Sequence, residues 1–358
     1  MNLSRSFHSR TNDAPQFTCG TYVLCITTHH VVADLTSTMD FTYAYARRYA
    51  NKPYLSTVPK TWSREPLKYF DTASAPVANL PLMNSIPGIT ILPPDQSLPP
   101  FPLPEPSDIV QIYTTTQKLT QIKNSINSSA SSPGLSTFQV LTALLWQSTV
   151  RVSLSHLPED EQVNLGLAVN GRERAPTRAM AQDRFYGNFN PAVCVTLPRG
   201  QITNSDVGFI ASAVKKALRA QLEPEFIARK VKTLESMDCR RFVPNTQCQF
   251  TSWPKDLIID EDLNFGFKFI EDEDDVPLSP YGGGRRKVVV SAGDDIPFPI
   301  GTMQSMMLNE DIYKILVSVP RGMKEVMLDE VRAWSIEKPT LILTAPRNLP
   351  PPESQPRL

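Results

Sequence analysis

Hydrophobic positions recur along this chain in two rhythms. Leu35, Met39, Tyr43, Ala46 and Ala50 return every three or four residues, a spacing that predicts an amphipathic helix. The same spacing joins Leu119, Ile122 and Ile126 in a helix from about Thr116. It also joins Phe138, Leu141, Leu145 and Val152 in a helix that Ser136 and Thr137 are placed to cap. Two more helices follow, one from near Asn204 with Val207, Ile210, Val214 and Leu218 in register, and one carrying Met323, Val326, Met327 and Val331. A two-residue period at Val163, Leu165, Leu167 and Val169 predicts a strand, and TYVLCIT (21–27), KVVVS (287–291) and YKILVSV (313–319) have strand composition. Strands and helices intermingle without a fixed repeat, which points to α/β layers around a sheet.

Proline interrupts this pattern. Many of the 33 prolines fall between Pro76 and Pro106, where missing backbone donors and a fixed φ exclude a regular helix or central strand. The expectation is a semi-rigid crossover between two domains, with a long surface loop as the plainer alternative. A chain of 358 residues suits two domains of unequal size. The expected organisation is a first domain over 1–75, the crossover over 76–110, a second domain over 111–345 and a disordered tail over 346–358.

Charge narrows the partners. Lys plus Arg equals Asp plus Glu at 36 each, so no basic excess suggests nucleic acid or an anionic membrane surface. The chain has no apolar run of the ~18 residues a membrane span needs. Its polar start, MNLSRSFHSRTNDAPQ, lacks the apolar core of a secretory signal. The five cysteines, Cys19, Cys25, Cys194, Cys239 and Cys248, are never spaced as CxxC, which argues against a disulfide framework or structural zinc. A cytoplasmic location is expected.

The candidate chemistry lies in HHVVAD, residues 29–34, between the TYVLCIT strand and the helix from Leu35. A rigidly held imidazole at His30 can take a proton from a hydroxyl or amine near neutral pH. Asp34 has several open roles: fixing the loop through an arginine or backbone amides, orienting the ring, or capping the helix. The plain alternative is a core histidine beside a capping aspartate. With only His8, His29, His30 and His156 in the chain, a metal site is not expected. Other signals read as scaffold or solvated surface: Trp146 on a buried helix face, Cys25 packed in its strand, His156 in a loop, and the stretches EDEDD (271–275) and YGGGRRK (281–287).

The segment QFTCGTYVLCITTHHVVADLTS resembles the signature of the BAHD-type acyltransferases, the coenzyme-A-dependent family of plant and fungal secondary-metabolite enzymes. Further blocks follow in that family's order: STFQVLTALLWQSTVR, LAVNGRERAP with YGNFNPAV, FTSWPKDLIIDEDLNFGFKF, and YKILVSVPRGMKEVML. The resemblance implies an α/β, two-domain, chloramphenicol-acetyltransferase-like fold, with a mixed sheet in each domain and a channel between them. It implies His30 as general base, and Asp34 as a structural residue paired with an arginine. No cofactor is permanently bound on this reading. Acyl-CoA, expected to be acetyl-CoA, is the co-substrate, and a small metabolite with a hydroxyl or amine is the acceptor. The relaxed distal motif is more similar to fungal than to plant members.

The chain departs from the family pattern at three points. Leu35 stands where a glycine usually follows the motif aspartate, so its turn must avoid positive φ or be strained. The distal motif reads Asn264-Phe265-Gly266-Phe267-Lys268, which makes Asn264 and Gly266 scaffold residues, with Arg172 a candidate partner for position 264. His30 also lies early in the chain, which leads to the expectation of an incomplete first domain. The rival reading is therefore a truncated, inactive homologue, or a chain that self-associates or needs a completing polypeptide. Peptide-synthetase condensation domains share the HHxxxD pattern; the SWP…NFGF block argues against them.

Overall fold

The apolar rhythm from Leu35 onward becomes helix α1, Leu35–Tyr49, with Ser37, Met39 and Ala46 buried. Leu35 is its first residue, and Ala192 is the sole non-glycine with positive φ among the described residues, so replacing the family glycine costs no strain at Leu35. The computed structural model describes residues 26, 28–30, 32–49, 81–93, 96, 105–128, 134–172, 186–236, 238, 241–253, 298–308 and 311–338. Most of TYVLCIT, all of KVVVS, both charged stretches and the tail lie outside the described residues.

Six strands form a mixed sheet: β2 (Ser107–Thr115), β3 (Gln162–Leu167), β4 (Val193–Pro198), β6 (Cys248–Ser252), β7 (Thr302–Met307) and β8 (Ile312–Pro320). Their spatial order is β2-β8-β7-β6-β3-β4. β3, β6 and β7 run parallel, while β2–β8, β8–β7 and β3–β4 are antiparallel. The longest pairing sets Val110 opposite Val317 and Ile112 opposite Ile315, burying both pairs.

Helix α2, Thr116–Ser128, continues directly from β2 and buries Leu119. Helix α3, Thr137–Ser153, opens with a reciprocal cap: the Gln139 amide donates to Ser136 Oγ, and the Ser136 amide donates to Gln139 Oε1. From Val140 to Ser153 every α3 residue except Arg151 is buried, including Trp146 at the centre of the core. Two helices stand where one was expected near Asn204: α4, Arg199–Asn204, and α5, Val207–Gln221, which Asp206 caps by accepting from the Phe209 amide. Helix α6 covers Pro224–Glu235, and α7 covers Lys324–Val331. In α7, Met327 and Val331 are buried, whereas Val326, assigned to the same face by spacing, is 47% exposed. Met327 and Val331 are the two buried residues of α7, which packs against α3, β2 and β8.

Where it is described, the proline-rich segment packs against its neighbours. Its strand β1, Ile89–Ile91, pairs antiparallel with β5, Phe242–Pro244, outside the main sheet. Met83, Ile86 and Leu92 are buried, and the Met83 amide donates to Thr233 Oγ1 at 2.9 Å. Among the described residues, no helix is long and apolar enough to cross a membrane.

Candidate active site

His30 sits in a tight turn closed by the Val32 amide donating to the His29 carbonyl at 2.8 Å. It is exposed, and among the described residues its ring has no hydrogen-bond partner. A buried, satisfied core histidine is therefore excluded. The turn is held by its backbone instead: Asn188 Nδ2 donates to the His30 carbonyl.

Four residues on, Asp34 serves two masters. Its Oδ1 accepts from the Ser37 amide at 3.1 Å, so it caps α1. The same carboxylate takes two parallel bonds from Arg172, Nη1 to Oδ2 at 2.7 Å and Nη2 to Oδ1 at 3.0 Å. A third contact comes from the Phe189 amide, donating to Oδ2 at 2.9 Å. Asp34 thus bonds both the first turn of α1 and Arg172, and among the described residues no bond runs from it to the His30 ring. The side chains are 5% (Arg172) and 12% (Asp34) exposed, so the pair works in a low-dielectric setting where a forked arginine fits a carboxylate well.

Arg172 also binds what flanks the pair. Nη2 donates to Ser37 Oγ at 3.0 Å and to the Gly187 carbonyl at 2.7 Å. Ser37 Oγ in turn donates to that carbonyl at 3.0 Å and accepts from the Gly187 amide at 2.9 Å. The guanidinium arrives at the right place because β3 ends at Leu167 and the chain turns through Asn170, whose Oδ1 accepts from the Arg172 amide. Gly171 allows the approach. A Cβ there would stand 2.4 Å from Phe189 Cε1 and 2.9 Å from Pro191 Cδ.

The turn from Gly187 to Ala192, which leads into β4 of the six-stranded sheet, therefore grips the histidine motif. Its other end is anchored at Lys230, whose Nζ donates to the Pro191 and Ala192 carbonyls at 2.7 and 2.8 Å. Burial lowers the Lys230 ammonium to about 8, an effect the neighbouring Cys194 opposes. Beside the ion pair, the Tyr186 hydroxyl is raised by burial first, then by the carboxylates of Asp40 and Asp34.

Of the residues singled out from sequence, the structure brings Asp34 and Arg172 into contact, with His30 four residues away on the same turn. Asn264 and Gly266 lie outside the described residues, so Arg172 is described against Asp34 alone. Ser37, Phe189 and Lys230 were not identified as site residues. Lys230 did leave a trace, since it stands three residues from buried Ile227 and three before buried Thr233, on the core face of α6. No group of three or more metal-ligating side chains occurs among the described residues.

A family profile described as "Transferase family" matches residues 13–268, more than half of the chain. The chain belongs to that family, the BAHD-type acyltransferases. No curated protein matches it in sequence. Among solved structures, it is similar to TRI101 of F. sporotrichioides complexed with coenzyme A and T-2, at TM-score 0.55 and 17% identity, covering 85% of this chain and 64% of that one. TRI101 of F. graminearum with coenzyme A and deoxynivalenol gives 0.55 and 16%, over 85% and 64%. Vinorine synthase gives 0.52 and 14%, over 86% and 61%. At this identity the likeness is one of fold, and it establishes the α/β acyltransferase architecture. This BAHD chain spans less than two-thirds of the length of each of these three relatives.

Proposed function

We propose that this protein transfers an acyl group, acetyl in the first instance, from acyl-CoA to a hydroxyl or amine of a small specialised metabolite. His30 is the general base. The observation that carries this reading is the contrast within one turn: the His30 ring is exposed and has no hydrogen-bond partner among the described residues, while its own carbonyl and Asp34 are tied to the 187–189 segment. An exposed ring on an anchored backbone supports the reading of His30 as the base, because a base must reach the proton it takes from a fixed position.

The chemistry follows from that placement. The free ring nitrogen of His30 takes the proton of the acceptor O–H or N–H as its oxygen or nitrogen attacks the thioester carbonyl carbon. The C–O or C–N bond forms, the C–S bond breaks, and the departing CoA sulfur receives the proton from the imidazolium. General-base catalysis of this kind contributes roughly a hundred- to ten-thousand-fold in rate. Asp34 and Arg172 stay out of the proton path, because their polar atoms are spent on each other and on the backbone. Acyl-CoA is a co-substrate on this reading, and no permanently bound cofactor takes part. The buried free thiols of Cys194 and Cys248 fit the cytoplasmic location proposed for the protein.

The test is to incubate the purified chain with acetyl-CoA and a panel of hydroxylated and aminated metabolites, reading free thiol release and the mass of acylated product. Acceptor-dependent release that falls at least a hundredfold in His30→Ala supports the reading. A folded preparation that releases no thiol with any acyl donor or acceptor defeats it.

A further inference from the structure

A buried lysine with no carboxylate partner among the described residues calls for a reason. Lys230 is 5% exposed, and its ammonium is met by two successive backbone carbonyls, Pro191 and Ala192. Such burial disfavours the charge unless its hydrogen bonds repay the loss of water. Ala192 stands at φ +36°, a conformation that side-chain-bearing residues rarely adopt. Such a conformation persists where the surroundings impose it.

We propose that Lys230 is a positioning residue of the histidine centre: by binding the Pro191 and Ala192 carbonyls it holds the strained end of the 187–192 turn, and so fixes the hooks on Asp34, Ser37 and the His30 carbonyl. The path is continuous and short. Lys230 holds residues 191 and 192; Asn190 Oδ1 accepts from the Ala192 and Val169 amides; the Phe189 amide reaches Asp34; Asn188 reaches His30; and Gly187 reaches Ser37 and Arg172. Helix α6 thereby governs where the base stands. The kinetic part of this inference rests on the acyl transfer proposed above; the conformational part does not.

The experiment compares wild type, Lys230→Met and the double variant Lys230→Met/Ala192→Gly. Amide hydrogen exchange is read over peptides spanning 186–192 against those of β3, together with kcat and the CoA dissociation constant. Lys230→Met is expected to speed exchange over 186–192 at least tenfold while β3 stays protected. It is expected to lower kcat about tenfold to a hundredfold with CoA binding within about twofold, since a misplaced base costs turnover rather than affinity. Ala192→Gly supplies a residue that accepts positive φ freely and restores part of both. A merely space-filling lysine would give no such rescue. Unchanged exchange overturns the proposal, as does faster exchange with unaltered kcat, or loosening that spreads into β3 and resists the glycine. Should Lys230→Met not fold, Lys230→Gln, a shorter donor, is compared instead: exchange over 186–192 intermediate between protected and unfolded with β3 protected supports the proposal, and unchanged exchange overturns it. A wild type that transfers no acyl group defeats the enzymatic reading instead, and exchange over 186–192 then decides the anchor alone.

Discussion

Arg172 and Asp34, separated by 138 residues, meet through two parallel hydrogen bonds of 2.7 and 3.0 Å at the root of the histidine turn. This contact joins the segment after β3 to the start of α1, so the motif is placed by the six-stranded sheet rather than by its own helix alone.

Asp34→Asn isolates the charge in that contact, because asparagine remains a good helix cap. Removing one partner of a buried pair leaves the other charge uncompensated, at about 3 kcal/mol. Urea unfolding is expected to show an unfolding free energy lowered by that amount, with Asp34→Asn/Arg172→Met recovering part of it. Equal midpoints for wild type and Asp34→Asn would show that the pair contributes nothing.

Gly171→Ala puts a methyl group 2.4 Å from the Phe189 ring, which is itself buried. The ring or the backbone must shift, at about 1–3 kcal/mol for an overpacked site. Because the Phe189 amide binds Asp34, acyl transfer should fall together with stability. Thermal unfolding and kcat measured on one preparation test this. Loss of stability with full turnover would separate Phe189 from the site.

Lys230 gives stability a pH dependence of definite sign. Burial lowers its ammonium from the ordinary 10.5 to about 8. Between those values the folded chain holds the amine neutral while the unfolded chain protonates it, so this group's contribution rises with pH through the window and is lost as pH falls to about 8. Lys230→Met abolishes the effect. The stability of wild type relative to the variant should therefore improve by on the order of 1–2 kcal/mol between about pH 7.5 and about pH 9.5. Urea midpoints of both proteins at the two pH values measure it, and a pH-independent difference would contradict the assignment.

Cys248 and Cys194 should resist alkylation in the folded chain. Burial pushes the Cys248 thiol up to about 12, partly offset by the Trp146 indole, and Cys194 is raised by burial as well. Thiolate is the reactive form, so iodoacetamide at mildly alkaline pH should leave both unmodified until denaturant is added. Mass mapping of the alkylated peptides reads this directly, and labelling of Cys248 in the native protein would refute its burial.

The sequence by itself determined the local elements. Leu119, Leu141, Leu145, Ile210 and Val214 recur at helical spacing because one helix face must leave water, and each is buried where that spacing put it. Val163, Leu165 and Leu167 did the same for β3. β7 escaped notice because its TMQSMM sequence buries Gln304 and Ser305 beside its methionines, which blurs the two-residue period. Only the tertiary structure decided how the histidine turn is held. Asp34 meets Phe189 across 155 residues, Asn188 meets His30 across 158, and Lys230 meets Pro191 across 39. Hydrophobic periodicity records which face of an element is buried; it carries no information on which distant backbone amide or carbonyl will complete a buried charge. That choice is made when β3, β4 and α6 pack and bring the 187–192 turn against the histidine motif, where every buried donor and acceptor must find a partner or bear its desolvation.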